Sequence, residues 1–149
     1  MTDSIPVLNQ LNIVAEDFDA TLAFYRRLGL CVPEGAAHDG IRHAEVTLPG
    51  GLTVEFDNRP LAALYNAAWR TPAGSNAAVI GFRVASREAV DRLYHELTAA
   101  GHVGRQPPFD AFWGARYAIV RDPAGNDVGL MSAIDESRRS WPAVPSPDL

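Results

Sequence analysis

The feature that most constrains the fold is an internal repeat, because the same order of predicted elements occurs twice along the chain. In the first pass, an apolar-rich strand at residues 7–15 is followed by Asp17, whose side chain can cap a helix over residues 18–28. In the second pass, a strand at residues 78–85 is followed by Ser86, which can cap a helix of similar length. The two caps lie about 69 residues apart, a spacing too long for a solenoid repeat. The pattern therefore predicts a module that is duplicated once.

Each predicted helix is followed by two strands with a turn between them. The predicted strands are residues 43–48 and 52–57 in the first half, and residues 116–121 and 127–132 in the second half. The turns at residues 49–51 (Pro-Gly-Gly) and 122–126 (Asp-Pro-Ala-Gly-Asn) are rich in the residues that favour tight turns. A further turn sequence at residues 71–74 is the expected joint between the halves.

Charge and composition narrow the classes of partner. The formal net charge is -5, with a pI near 5.2, whereas a nucleic-acid-binding protein needs a basic face, so no nucleic-acid partner is expected. No apolar stretch approaches the roughly 18 residues that a membrane helix needs, so no membrane partner is expected either. Cys31 is the single cysteine and the first ten residues carry no secretion signal, which together predict a cytoplasmic location.

Several short motifs resemble those of a known family. Residues 10–17 (QLNIVAED), followed by Phe24-Tyr25 and Leu28-Gly29, resemble the opening of modules whose usual form is H-h-x-h-x-V-x-D, then F-Y and L-G, where h is an apolar residue. Residues 122–126 resemble the D-P-x-G-N hairpin near the end of the same modules. Over about residues 7–132, the chain therefore resembles the vicinal oxygen chelate superfamily, which includes glyoxalases, bleomycin resistance proteins and extradiol dioxygenases.

The resemblance implies a fold and a domain organisation. In this family, two βαβββ modules curl an eight-stranded mixed sheet around a cleft, with the helices outside. The resemblance thus implies one α+β domain over residues 1–149, with module one at about residues 5–60, module two at about residues 76–133, and a Pro-rich C-terminal arm at residues 134–149. The same scaffold serves lyases, dioxygenases and drug-binding proteins, so the fold alone does not identify the function.

The resemblance also identifies the positions at which relatives hold a divalent metal. These positions, at the start and on the last strand of each module, are Gln10, Glu55, Val79 and Gly129 in this chain. Val79 and Gly129 have no side-chain donor, and two oxygen ligands completed by water bind a transition metal poorly. We therefore expect no metal and no other cofactor, and we expect Gln10 and Glu55 to be polar groups that line the cleft.

Strand alternation predicts an acidic face in the first half. If residues 49–51 form a hairpin loop, Glu45 lies opposite Glu55, and His43 lies opposite Asp57. Like charges in opposite positions are destabilising, so this face is either exposed to solvent, or holds a shared proton, or binds a cation. Glu55 is accordingly a candidate catalytic acid or base as well as a candidate ligand contact.

The corresponding face of the second half is apolar, and nearby loops add aromatic rings that can stack on a flat ligand. Together with the polar face, these side chains form the predicted site. The predicted ligand-binding residues are Gln10, Glu55, Trp69, Phe112, Trp113, Tyr117 and Met131.

These features favour a metal-free protein of the bleomycin-resistance type, which binds a small aromatic or cationic molecule such as an antibiotic. Two alternatives remain open. One is a glyoxalase- or dioxygenase-like enzyme that recruits a metal through His43, Glu45 and Glu55, and the other is a metal-free enzyme that uses Glu55 as an acid or base. A homodimer is also expected, because two-fold dimers are the commonest oligomers and Trp69 and Trp113 offer apolar surface for an interface.

Overall fold

The computed structural model describes residues 7–71 and 78–140. The strands of these residues are β1 (Gln10–Ala15), β2 (Ala36–His38), β3 (Ile41–Thr47), β4 (Thr53–Asn58), β5 (Val79–Arg83), β6 (Gly104–Asp110), β7 (Arg116–Arg121) and β8 (Asp127–Met131). The helices are α1 (Phe18–Leu28), α2 (Arg59–Tyr65) and α3 (Arg87–Ala99), and a 3-10 turn spans Glu136–Arg138. The chain divides into two compact units between residues 72 and 73. None of the helices in these residues is long and apolar enough to cross a membrane.

The first unit is a four-stranded sheet in the order β1-β4-β3-β2, with α1 packed on one face. Helix α1 begins after Asp17, whose carboxylate accepts a hydrogen bond of 3.0 Å from the Ala20 N–H, and ends at Gly29, where a φ of 115° favours glycine. The buried Tyr25 ring of α1 lies 5.1 Å from the ring of Phe56 on β4. Because side chains alternate along a strand, the neighbours of Phe56 point to the opposite face, which is where the site forms.

The second unit repeats this arrangement with the strand order β5-β8-β7-β6. Helix α3 begins after Ser86, whose hydroxyl accepts a hydrogen bond of 3.1 Å from the Ala89 N–H. Val90 and Leu97 of α3 are fully buried, as are Val128 and Leu130 of β8. In both units the first strand pairs in parallel with the last strand, and the other pairs are antiparallel.

The predicted fold class is confirmed: the chain is α+β, with two βαβββ modules and helix caps at Asp17 and Ser86. The eight strands are divided equally between two sheets, one in each unit, where the resemblance implied a single sheet. The predicted strand pairing is also confirmed, because Glu45 lies opposite Glu55 and His43 opposite Asp57. The sequence patterns did not identify β2 or β6, nor did they identify α2.

The first residues of the C-terminal arm have a different structure from the extended one that was expected. Residues 134–140 are not an extended segment, because they contain the 3-10 turn and bond back to the loop at residues 111–115. The Ser140 N–H donates to the Phe112 carbonyl oxygen at 2.9 Å, and the Asp135 N–H donates to the Gly114 carbonyl oxygen at 3.0 Å. The Pro-rich remainder of the arm and most of the expected joint at residues 71–74 lie outside the described residues.

Candidate functional site

An acidic pocket lies on the face of the first sheet that α1 leaves uncovered. Its volume is about 440 Å³, and it is open to solvent. Strands β1, β3 and β4 contribute its floor, and α2 contributes one wall. The residues that line the acidic pocket are Gln10, Asn12, His43, Glu55, Asp57, Leu61 and Tyr65.

Asp57 is the buried centre of the acidic pocket, with only 1% of its surface exposed. Three side chains surround its carboxylate. One oxygen lies 2.7 Å from Nδ1 of His43, and the other accepts hydrogen bonds from the Tyr65 hydroxyl at 2.8 Å and the Asn12 amide at 3.1 Å. Buried carboxylates are tolerated only where such donors replace water, so these contacts explain how β4 accommodates a charge at this position.

His43 connects Asp57 to the open side of the acidic pocket. Its Nε2 atom lies 3.5 Å from a carboxylate oxygen of Glu45, while Nδ1 faces Asp57. Partial burial favours the neutral imidazole, but the hydrogen bond to Asp57 and the charges of Asp57 and Glu55 raise the pKa of His43 above its ordinary value. The imidazole therefore carries positive charge into an otherwise acidic site over a wider pH range than an isolated histidine.

Asn12 separates the two carboxylates on β4. Its amide nitrogen donates to Glu55 at 2.6 Å and to Asp57 at 3.1 Å, and its own oxygen accepts from the Gln10 amide at 3.0 Å. The predicted conflict between Glu45 and Glu55 is thus relieved in two ways, because Glu55 accepts from Asn12 and Glu45 lies beside His43. Gln10 and Glu55, both predicted as site residues, lie in this pocket, and Asn12 joins them.

Asn12 and Asp57 line the pocket but were not among the predicted site residues. Tyr65 and Leu61 were also missed, because helix α2 was not recognised. Burial and the hydrogen bond to Asp57 raise the pKa of the Tyr65 phenol to about 12, so the hydroxyl remains a donor. A signal for α2 was present in the sequence: Asn58 caps the helix by accepting from the Leu61 N–H at 3.3 Å, and Pro60 occupies its first turn.

The predicted aromatic contacts of the second unit come together in one cluster. The ring of Trp113 lies 4.9 Å from Phe112, 5.2 Å from Tyr117 and 6.2 Å from Phe109, with edge-to-face geometry in each pair. We refer to these four residues as the aromatic cluster. Met131 lies opposite Tyr117 on the neighbouring strand. Phe112 is 44% exposed, so the aromatic cluster offers ring surface to a ligand.

The positions at which the family resemblance implies metal ligands do not fit a metal in this chain. Val79 and Gly129 carry no donor atom, and the space beside Gly129 is filled by the Tyr117 ring, whose hydroxyl lies 2.8 Å from where a Cβ would stand. Gln10 and Glu55 are both hydrogen bonded to Asn12. A different set, His43, Glu55 and Asp57, places one potential ligand atom from each residue within 4.8 Å of the others.

Trp69, the remaining predicted contact, does not line the acidic pocket. It lies beside Arg59, whose guanidinium carbon is 5.5 Å from the centre of its ring. The predicted site residues therefore fall into three places: Gln10 and Glu55 in the acidic pocket, Trp69 near Arg59, and the second-unit residues around Trp113.

Comparisons with known proteins identify the family. Residues 7–130 match the family described as Glyoxalase/Bleomycin resistance protein/Dioxygenase superfamily. A family enzyme from Burkholderia phytofirmans PsJN is 24% identical, with a TM-score of 0.70 over 85% of this chain and 98% of that chain. A Nocardioides protein of the same description is 23% identical, with a TM-score of 0.68 over 90% of this chain and 87% of that chain.

The same fold occurs in a lactoylglutathione lyase from Agrobacterium tumefaciens, which is 19% identical, with a TM-score of 0.59 over 89% of this chain and 96% of that chain. Identities of this size show a shared fold and leave the reaction open. No curated protein matches the sequence. On the match to the family over residues 7–130, the chain belongs to the glyoxalase/bleomycin resistance protein/dioxygenase superfamily.

Proposed function

We propose that this protein binds a small aromatic or cationic organic molecule, and that it does so without a metal. The aromatic cluster around Trp113 is the observation that carries the proposal, and a cationic ligand is also favoured by the acidic pocket. Glu55 and the buried Asp57 line it, Glu45 lies at its edge, and His43 is its one basic group among the described residues. A ligand cation would meet excess negative charge there, with Gln10 and Glu55 available to orient its polar atoms.

The aromatic cluster offers a surface on which an aromatic ligand can stack. Rings that pack edge to face, as Trp113 does with its neighbours, hold their positions and lose little conformational freedom when a ligand stacks on them. Tyr117 and Met131 add to the same apolar surface. Burial raises the pKa of Tyr117, so its phenol stays neutral beside an apolar ligand. An aromatic or cationic antibiotic, sequestered in the cytoplasm, would be one ligand that fits this proposal.

The test uses a ligand found by screening and compares its affinity for two variants of the protein. Stacking contributes on the order of 1 kcal/mol per ring beyond the area buried, whereas the partly exposed Glu55 carboxylate, which already accepts a hydrogen bond from Asn12, contributes less. Trp113→Ala should therefore weaken binding, measured by calorimetry, more than Glu55→Gln does, and about 0.5 M salt should change the affinity little. Glu88→Gln on α3 is the control. Loss of binding in Glu55→Gln with full binding in Trp113→Ala would indicate an electrostatic or catalytic site instead.

A second candidate function is an enzyme with a rearranged metal site. It is favoured by the proximity of His43, Glu55 and Asp57, with Glu45 beside His43. The three donors already bonded to Asp57 count against this candidate, since a metal at Asp57 would have to displace them. A metal-free enzyme would instead use Glu55 as an acid or base, and only a turnover assay separates that possibility from binding alone.

Elemental analysis of protein purified without an affinity tag separates the metal-dependent candidate from the proposal. We expect well under one zinc, iron, nickel or manganese atom per chain, because the inherited positions lack donors at Val79 and Gly129. About one atom per chain that is lost in Glu55→Gln would favour the enzyme.

A further inference from the structure

Helix α2 separates the acidic pocket from a second pocket in the same unit. At about 100° per residue, Leu61 and Tyr65 fall on one side of this helix and line the acidic pocket. Arg59, Pro60 and Ala63 fall on the other side and line a pocket of about 510 Å³. Trp69, Arg70 and Thr71 complete this second pocket, which we call the arginine pocket.

The arginine pocket has the opposite charge to the acidic pocket. Two guanidinium groups, Arg59 and Arg70, line it, and none of the described residues that line it carries a carboxylate. Its remaining surface is largely apolar, because Trp69, Pro60 and Ala63 contribute an indole ring and aliphatic carbon. A site that combines a flat apolar wall with guanidinium donors matches an anion with a planar hydrophobic body.

One wall of the arginine pocket is held in place before any ligand binds. Arg59 Nη1 lies 3.2 Å from a carboxylate oxygen of Glu16, and the Thr71 hydroxyl donates to the other oxygen at 2.9 Å. Glu16 thereby holds both Arg59 and Thr71 in place. The Arg59 guanidinium also lies over the Trp69 ring. Because Glu16 offsets the charge of Arg59, the net positive charge available to a ligand comes from Arg70.

Arg70 is exposed and lightly held. Among the described residues, its guanidinium bonds only the carbonyl oxygens of Trp69 at 2.7 Å and Ala67 at 3.4 Å, both through Nη1. Nε and Nη2 remain available to a carboxylate, which accepts such donors in pairs. In the part of the chain that the structure describes, no acidic side chain neutralises the charge of Arg70.

We propose that the arginine pocket binds a small planar carboxylate, with Arg70 holding the carboxylate and Trp69 and Pro60 contacting the ring. The apolar lining separates this ligand from inorganic phosphate, which could use the guanidinium groups but not the indole. The arginine pocket is thus a second binding site, of opposite charge preference, and it does not depend on the function proposed for the acidic pocket.

Benzoate is the probe, and amide chemical shifts measured by NMR on the whole chain give both the location and the affinity. We expect benzoate to shift residues 59–71 with a dissociation constant of roughly 1 mM, the range expected for so small a ligand. Arg70→Gln should weaken binding about tenfold, the size of a charge-assisted hydrogen bond. Trp69→Leu should weaken it severalfold, and Arg92→Gln, an exposed arginine of α3, should leave it unchanged.

Benzamide, which has the same shape without the charge, should bind at least tenfold more weakly than benzoate. Equal binding of benzamide would overturn the proposal, as would benzoate binding that Arg70→Gln leaves intact. Inorganic phosphate that shifts the same residues with the affinity of benzoate would overturn the assignment to planar ligands. The absence of shifts in residues 59–71 at about 10 mM benzoate would overturn the site itself.

Discussion

At the scale of single residues, the acidic pocket depends on Asp57, a charged group that is almost fully buried. Each side chain that contacts Asp57 contributes both to its stabilisation and to the pocket. Tyr65 and Asn12 satisfy its oxygens and also shape the pocket, while His43 supplies compensating charge and faces the opening. Burial of a charge is costly unless such partners are present, so stability and ligand recognition are coupled at this position.

Removing the Tyr65 hydroxyl should show how much this donor contributes to stability. Tyr65→Phe leaves one oxygen of the buried Asp57 with one donor fewer, and we expect the free energy of unfolding to fall by about 1–2 kcal/mol. Urea denaturation measures the change. Tyr94→Phe is the matched control, because the Tyr94 hydroxyl has no hydrogen-bond partner among the described residues. Equal, small effects in both variants would show that Asp57 does not need the phenol.

The charge of His43 should depend on pH in a defined direction. Since its pKa is raised on folding, its interaction with Asp57 stabilises the protein fully below the unfolded value of about 6.5, and this stabilisation is lost as the pH rises through the folded pKa. An NMR titration of the His43 ring should give a pKa above 6.5, and Asp57→Asn should lower it. Asp19→Asn, which removes a remote surface carboxylate, should not. A pKa at or below 6.5 in the wild type would contradict this assignment.

At the scale of elements, β5 and β8 place two glycines side by side on the same face of the second sheet. Gly81 lies opposite Gly129, yet their surroundings differ. A Cβ at Gly81 would meet no heavy atom within 4 Å, whereas a Cβ at Gly129 would press on the Tyr117 ring. The ring thus occupies the space beside Gly129, one of the positions at which the family resemblance implies a metal ligand.

This difference predicts opposite outcomes for two small substitutions. Gly129→Ala should lower the free energy of unfolding by about 1–3 kcal/mol, because the ring of Tyr117 must move to admit the methyl group. Gly81→Ala should change it by less than about 0.5 kcal/mol. Thermal and urea denaturation measure both variants. Similar losses in the two variants would mean that the strand backbone, and not the ring, determines the cost.

The elements of the fold differ in how clearly the local sequence marks them. Helix caps and strand alternation are local, so Asp17, Ser86 and the facing pair His43 and Asp57 were predicted correctly. Strand β2 has three exposed residues and therefore lacks an apolar pattern to identify it. Helix α2 is only seven residues long, too short for a clear periodic signal, and so its tyrosine was missed although Asn58 and Pro60 marked its start.

At the scale of the whole molecule, the chain carries surfaces of different chemistry on a duplicated scaffold. The first unit presents carboxylates on the open face of its sheet, and the second presents aromatic rings and glycines at the corresponding strands. Duplication with divergence explains how both faces arise from one module. It also explains why the family fold alone does not specify the ligand.

We predict that the protein is a homodimer in solution. Large apolar side chains remain exposed in both units, among them Leu64 at 71% and Val103 at 57%. A two-fold interface would cover such surface. Light scattering at micromolar concentration should give about twice the chain mass of 16.1 kDa. A mass equal to one chain would contradict the prediction.

The most direct test of metal-free ligand binding is a thermal-shift screen of flat aromatic cations, run with and without a chelator. A compound present at about 100 times its dissociation constant adds about 2.7 kcal/mol to the free energy of unfolding, which raises the melting temperature by several degrees. We predict that at least one such compound stabilises the protein equally in both conditions. Stabilisation that disappears with the chelator, or a panel in which only divalent metal ions stabilise the protein, would contradict the proposed function.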